Sequence, residues 1–237
     1  MTRQITLTLL LCACCAVSFR PALADAPQPL VMVLGDSISA AYGMPTEYGW
    51  VALLDEALQE RNIPARMVNA SISGETTTGA LARLPALLQE YPVDTLIIEL
   101  GGNNALRGQP LDIMREELRQ LINQAQNHGA SVLLIGMHIP PNYGKRYAQR
   151  FHQTFVDLAA QEQTALVPFL LEDFATEDGM IQADGIHPSA AAQPLMVNNV
   201  LPHLLPLLDT AASAHGETLA TDIAPNDNSQ TSGVTTP

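Results

Sequence analysis

From Leu30 onward the chain alternates between short apolar runs and longer amphipathic stretches. Residues 30–34, Leu-Val-Met-Val-Leu, form an unbroken apolar run closed by Gly35, the pattern of a strand buried on both faces. Over 50–61, Val51, Leu53, Leu54, Ala57 and Leu58 recur at helical spacing, with Asp55, Glu56 and Glu60 between them. A short strand is expected at 66–69 and a second amphipathic helix over 78–89, in which Pro85 ends or kinks a turn. Residues 95–100 read as a third strand, closed by Gly101-Gly102. A long helix over 111–127 stops at His128-Gly129, a C-terminal signal. A fourth strand follows at 131–137, a helix at 147–161 and a last short strand at 165–167 before Pro168. The terminal helix, over 190–208, is entered by Pro188-Ser189, and Pro194 and Pro202 are expected to break it.

Strand and helix thus alternate about five times. Short apolar strands, each followed by a crossover helix, imply an α/β fold: a three-layer α/β/α sandwich around a parallel sheet of about five strands. In such sheets ligands bind beyond the carboxyl ends of the strands, and the unusual polar residues of this chain fall just after strands. After Asp209 apolar periodicity gives way to Thr, Ser, Ala, Asn, Gly and Pro, so 210–237 is expected to be a disordered tail. The 237 residues suit one domain, expected at 25–209.

The first two dozen residues are set apart from this pattern. Arg3 precedes an apolar run over 5–17, and Ala22-Leu23-Ala24 offers small residues one apart. Together they read as a signal peptide over 1–24, giving a periplasmic or secreted protein with no stable membrane span after cleavage. A membrane-anchored N-terminus is one alternative. Lipidation at Cys14, within Leu11-Cys12-Ala13-Cys14, is another. All three cysteines (Cys12, Cys14, Cys15) lie in this segment, so the remaining chain has no thiol for a disulfide, a nucleophile or a metal site.

Composition narrows the partners. The chain is 47% hydrophobic and 15% charged, as globular proteins are, with 11 basic against 24 acidic residues and a formal net charge of −13. No Lys/Arg cluster is present to neutralise phosphates, which excludes a nucleic-acid partner. Beyond the leader there is no dinucleotide fingerprint, phosphate-binding lysine loop, H-E-x-x-H or C-x-x-C, so no metal or organic cofactor is implied. The G-x-S-x-G elbow of ordinary α/β-hydrolases is also missing.

Four loops carry candidate chemistry. Gly35-Asp36-Ser37-Ile38-Ser39 follows the first strand, where a serine hydroxyl can enter the crevice; the plain alternative is a polar loop capping the next helix. Asp184-Gly185-Ile186-His187-Pro188 places an acid three residues before a histidine. It can fold back to accept the Nδ1 hydrogen and leave Nε2 free for a hydroxyl, or it can be a surface Asx-turn. Gly74, after the second strand, lets a backbone N–H approach a ligand, and Asn103, after the third, offers an amide donor; either loop alone is ordinary Gly/Asn turn chemistry. In combination they supply a nucleophile, oxyanion donors, a base and its orienting acid behind successive elements of one sheet. His128 and His152 are expected in structural places, while His138, Met44, Leu106 and Tyr143 are candidates for lining the cleft.

The stretches GDSISAAYG (35–43), NASISGETT (69–77), LGGNNALRG (100–108), PPNYGKRY (140–147) and QADGIHPS (182–189) resemble the SGNH (GDSL) hydrolases, closest to the bacterial periplasmic thioesterase I/lysophospholipase/arylesterase branch. The resemblance covers roughly 30–208. It implies an SGNH, flavodoxin-like fold and a monomeric serine esterase that needs no cofactor. By that resemblance Ser37 is the nucleophile, His187 the base and Asp184 its partner, while the Ser37 and Gly74 N–H groups and the Asn103 amide form the oxyanion hole. Aryl esters, short-to-medium acyl esters, acyl thioesters and lysophospholipids are the implied substrates, small or lipid-derived. The branch pattern expects Asp where Asn104 stands and Gly where Ala105 stands, which leaves loop mobility and substrate preference there open. A carbohydrate O-deacetylase with the same triad and a non-catalytic envelope binding protein are the alternative readings.

Overall fold

The computed structural model describes residues 28–222, with no side chain described beyond 214. The expected signal peptide and Cys14 therefore lie outside the described residues. Five strands, β1 (Leu30–Gly35), β2 (Arg66–Asn69), β3 (Thr95–Glu99), β4 (Ser131–Ile135) and β5 (Ala165–Val167), pair in parallel in the order β2-β1-β3-β4-β5. The helices are α1 (Trp50–Glu60), α2 (Thr77–Glu90), α3 (Gly102–Leu106), α4 (Leu111–Asn127), α5 (Lys145–Gln161) and α6 (Gln193–Asp222).

Strand periodicity explains why both faces are covered. Alternate side chains of β1 point opposite ways: Met32 and Leu34 pack among residues of α2, α4 and α5, and Val31 and Val33 among those of α1 and α6. Ile98 and Leu134 join the first cluster, Ile97 and Leu133 the second. The result is the three-layer α/β/α sandwich expected from the alternating apolar runs. Chain order reverses direction across the sheet at β1, so the crevice beyond β1 and β3 is the topological switch point.

Three local expectations are corrected. Pro194 and Pro202 do not break the terminal helix: α6 runs unbroken from Gln193 to Asp222. Pro194 sits in its first turn, where an N–H has no helical partner anyway. Pro202 and Pro206 lie inside, and a mid-helix proline costs about 3 kcal/mol. Met196, Val200, Leu204 and Leu208 are buried against the sheet, each contributing roughly 1.5–3 kcal/mol, so packing outweighs the breaks. The boundary expected at Asp209 also moves, because the helix continues through residues assigned to the tail and Ala211 is still buried. Residues 223–237 lie outside the described residues. The five-residue α3, which carries Asn103, was not anticipated as a helix.

Candidate active site

The serine loop is shaped by what lies behind it. A Cβ at Gly35 would come within 2.7 Å of Ser39 Cβ and Oγ and 2.9 Å of Glu99 Oε2, so only glycine lets β1 end against these groups. The chain then turns over 37–40, with Ala40 N–H donating to Asp36 O at 2.9 Å and Tyr42 N–H to Ser37 O at 3.0 Å. Helix α1 begins only at Trp50, so Ser37 caps nothing. Asp36, in contrast, is buried: its Oδ1 accepts the Ile38 N–H at 3.0 Å and its Oδ2 the Asn103 Nδ2 at 3.0 Å.

The histidine loop reaches the same point from the other end of the chain. His187 Nε2 lies 2.9 Å from Ser37 Oγ, across 150 residues of sequence, and His187 Nδ1 lies 2.6 Å from Asp184 Oδ2. The two readings of Asp184 hold together. Its Oδ1 makes the Asx-turn, accepting Ile186 N–H at 2.9 Å and His187 N–H at 3.0 Å, while Oδ2 holds the imidazole. The hydrogen bonds from the His187 ring, the His187 N–H and the Ile186 N–H hold the Asp184 pKa down to about 2, so this group is an anion. Tyr42 lies against the imidazole with ring centroids 4.4 Å apart.

The oxyanion candidates converge less directly. Gly74 has φ +81°, a left-handed conformation that favours glycine, and its carbonyl accepts Arg107 Nη2 at 3.0 Å. Among the described residues neither the Ser37 N–H nor the Gly74 N–H donates to protein. Asn103 is brought beside the serine turn by its bond to Asp36. Asn104 is fully buried: its Nδ2 donates to Thr77 Oγ1 and Gln109 Oε1, both at 2.6 Å, and its Oδ1 accepts the Thr77 N–H at 3.1 Å. It thus ties α3 to the start of α2 without burying a charge.

Ser37, Ala41, Tyr42, Met44, His187 and Pro188 help line a narrow crevice. Met44 is therefore placed as a lining candidate, whereas His138 stacks on His152 (3.8 Å between centroids) and meets Phe169 edge-on. His128 is the C-cap of α4, as expected. A larger groove of about 320 Å³, bordered by Gly129, Ser131, Gln163 and Leu207, lies at the opposite end of the sheet, away from Ser37 and His187.

Several supporting residues were not singled out from sequence. Ser39 and Asp36 lie in the same short motif as Ser37, and Glu99 is an acid inside the apolar run 95–100, the sequence signal of a buried carboxyl. Gln182, whose Nε2 donates to both Tyr42 O (2.9 Å) and Pro188 O (3.0 Å), joins the two loops.

The arrangement can carry a proton from a serine hydroxyl to a histidine whose far nitrogen faces a carboxylate, which is the geometry of nucleophilic acyl transfer. A family model, the GDSL-like lipase/acylhydrolase family, matches residues 33–194. The chain belongs to that family. Esterase TesA of Pseudomonas aeruginosa is 52% identical over 178 residues, 75% of this chain and 89% of that protein. Thioesterase 1/protease 1/lysophospholipase L1 of Escherichia coli K12 is 38% identical over 193 residues, 81% of this chain and 89% of that protein. The crystal structure of the psychrotrophic esterase EstA from Pseudoalteromonas sp., inhibited by monoethylphosphonate, is similar with a TM-score of 0.73 and 38% identity, covering 77% of this chain and all of that one. These relatives of the GDSL hydrolase are named as an esterase and a thioesterase/lysophospholipase, and the chain is an ester-hydrolysing enzyme.

Proposed function

We propose that this GDSL hydrolase cleaves carboxylic esters and thioesters through an acyl-enzyme on Ser37. The observation that carries the reading is the continuous chain from Ser37 Oγ through His187 to Asp184, at 2.9 and 2.6 Å. Ser37 Oγ attacks the carbonyl carbon as His187 Nε2 takes its proton, while the Asp184 anion stabilises the imidazolium. The negative charge on the former carbonyl oxygen is met by the Ser37 and Gly74 N–H groups and the second Nδ2 hydrogen of Asn103. His187 returns the proton to the leaving alcohol or thiol, then deprotonates the water that releases the acid. All of these groups come from one chain, so a monomer suffices.

The proposed substrates are aryl esters, short-to-medium acyl esters, acyl thioesters and lysophospholipids. Support comes from where apolar surface is exposed. Among the described residues the large exposed hydrophobics are Tyr42, Tyr48, Ile72, Ile113, Tyr143 and Ile186. Each lies in a connection leaving the carboxyl end of a strand or, for Ile113, in the first turn of α4 after such a connection. Apolar surface is thus gathered at the end of the sheet where Ser37 stands, which suits an acyl or aryl substrate better than a sugar. Export to the periplasm or medium, with a hydrolase domain from about residue 25 through the packed part of α6, completes the proposal; the apolar run and small residues before Asp25 support it.

The test is hydrolysis of p-nitrophenyl esters from acetate to laurate by the purified chain and its Ser37→Ala variant. Turnover is expected to fall by roughly 10⁴-fold or more with the melting temperature unchanged. Retained turnover in the variant would remove Ser37 as nucleophile. A sharp preference for acetate would point instead to a deacetylase.

A further inference from the structure

Behind the serine turn lies a buried acid that the reaction does not consume. Glu99, the last residue of β3, is completely inaccessible to solvent, and Asp36 beside it is 3% exposed. No ion pair joins either carboxyl to a basic side chain among the described residues. Two carboxylates in such a place would repel each other with little solvation to offset it, so they share at most one charge.

The hydrogen bonds say where the proton is. Trp50 Nε1–H, which can only donate, reaches Ser39 Oγ at 3.3 Å. Ser39 Oγ therefore accepts from the indole and points its single hydrogen at Glu99 Oε2, 2.7 Å away. The Asp36 N–H donates to the same oxygen at 3.2 Å. Oε2 is thus an acceptor twice over, while Oε1 is buried without a partner. Asp36 has its donors spread over both oxygens, Ile38 N–H on one and the Asn103 amide on the other. The negative charge is better held on Asp36, and Glu99 is the neutral member of the pair.

We propose that Glu99 is a positioning residue that acts as a neutral carboxylic acid, fixing the Ser37 turn through Ser39 and the Asp36 N–H so that the Asp36 anion can orient the Asn103 amide. The proposal rests on the reading of Ser37 and Asn103 given above. Burial and the neighbouring Asp36 raise the Glu99 pKa well above the usual carboxylate range. The groups facing Glu99 are few. Asp36 at the end of β1 is the ionisable one, and it is in turn influenced by His187 across the site. Ser39 and the Trp50 indole come from the serine turn and α1. β4, which pairs with β3 on the other side, carries no ionisable side chain.

Glu99→Gln and Glu99→Ala separate this role from a generic structural one. Glu99→Gln keeps a neutral acceptor and is expected to retain kcat within about threefold at pH 7. Glu99→Ala, which lets the turn shift, is expected to lower kcat by roughly 10²-fold with little change in KM. A carboxyl whose pKa is raised on folding favours the folded state at low pH, and that contribution is lost as pH rises toward its folded value. The melting temperature of the wild type is therefore expected to fall relative to Glu99→Gln as pH is raised from about 5 to 9. A gap in melting temperature that stays constant with pH, or a Glu99→Gln variant as impaired as Glu99→Ala, would overturn the proposal. The melting comparison needs no turnover, so it stands or falls apart from the nucleophile test on Ser37.

Discussion

The serine loop and the histidine loop meet at one 2.9 Å contact but are secured by different means. Asp36 and Ser39 point inward, to Asn103, Glu99 and Trp50, and are almost fully buried. Asp184 and His187 lie on a turn near the surface, with side chains 37% and 15% exposed, and brace one another through bonds spanning three residues or fewer. One loop borrows its rigidity from the core; the other is held by its own backbone, by the antiparallel bridge between Ile181 and Pro188 and by Gln182. A nucleophile has to stand still against its oxyanion donors. A base that must exchange protons with a leaving group and with water needs an outlet to solvent. Changes to the exposed loop should therefore alter turnover alone, while changes behind the serine should alter turnover and stability together.

The largest separation is expected from Asp184→Asn. Losing the anion leaves the imidazolium without its partner, as in other triads where the amide substitution costs about 10⁴-fold in turnover. Because Asp184 is exposed, water can stand in for part of its charge, so a loss of about 10²- to 10⁴-fold is expected in steady-state assays. The melting temperature should hardly move, since the amide oxygen can still accept the Ile186 and His187 N–H groups. A clear drop in melting temperature would show that the exposed loop is as tightly coupled to the core as the buried one.

Asn103→Ala comes next. Turnover should fall by roughly 10²–10³-fold with KM nearly constant, as for an oxyanion donor. Here stability should fall too: the buried Asp36 loses one of its two side-chain-facing donors, an effect of about 1–3 kcal/mol. In a domain of this size that is a shift of several degrees, readable by calorimetry. An effect confined to KM would make Asn103 a ground-state binding residue. An unchanged melting temperature would mean that Asp36 does not depend on it.

The same division governs what could be read from the sequence. The strands were legible because residues such as Val31 to Leu34 and Leu96 to Ile98 are buried on both faces, which leaves an unbroken apolar run. The reading overshot at Leu100 and at Gly136-Met137, where apolar residues continue after the backbone has left the sheet. Helix α3 was invisible because Gly-Asn-Asn-Ala-Leu is too short to show a period. The histidine loop was legible because its contacts are local, so Asp184 and His187 announce each other. The support behind the serine was not: Ser39 meets Glu99 across 60 residues, and Gln182 meets Tyr42 across 140. Nothing in the spacing of those residues points from one to the other.

The smallest effect is also the finest test of the contrast, because the two loops hold their acids in opposite states. Burial raises Glu99, whereas Asp184 is drawn down to about 2, first by the His187 ring and then by the His187 and Ile186 N–H groups. A lowered carboxyl favours the folded state above its unfolded value, near 4, and loses that contribution only as pH falls through the folded value. Asp184 therefore remains an anion down to about pH 4 and adds no ionisation of its own above it. On the acid side, log(kcat/KM) should fall with a slope of one per pH unit down to about pH 4, reporting a single ionisation of the free enzyme. A slope steepening toward two in that interval would mean that Asp184 protonates within it. The exposed loop would then need support from outside its own turn, and the difference between the two loops would be one of degree.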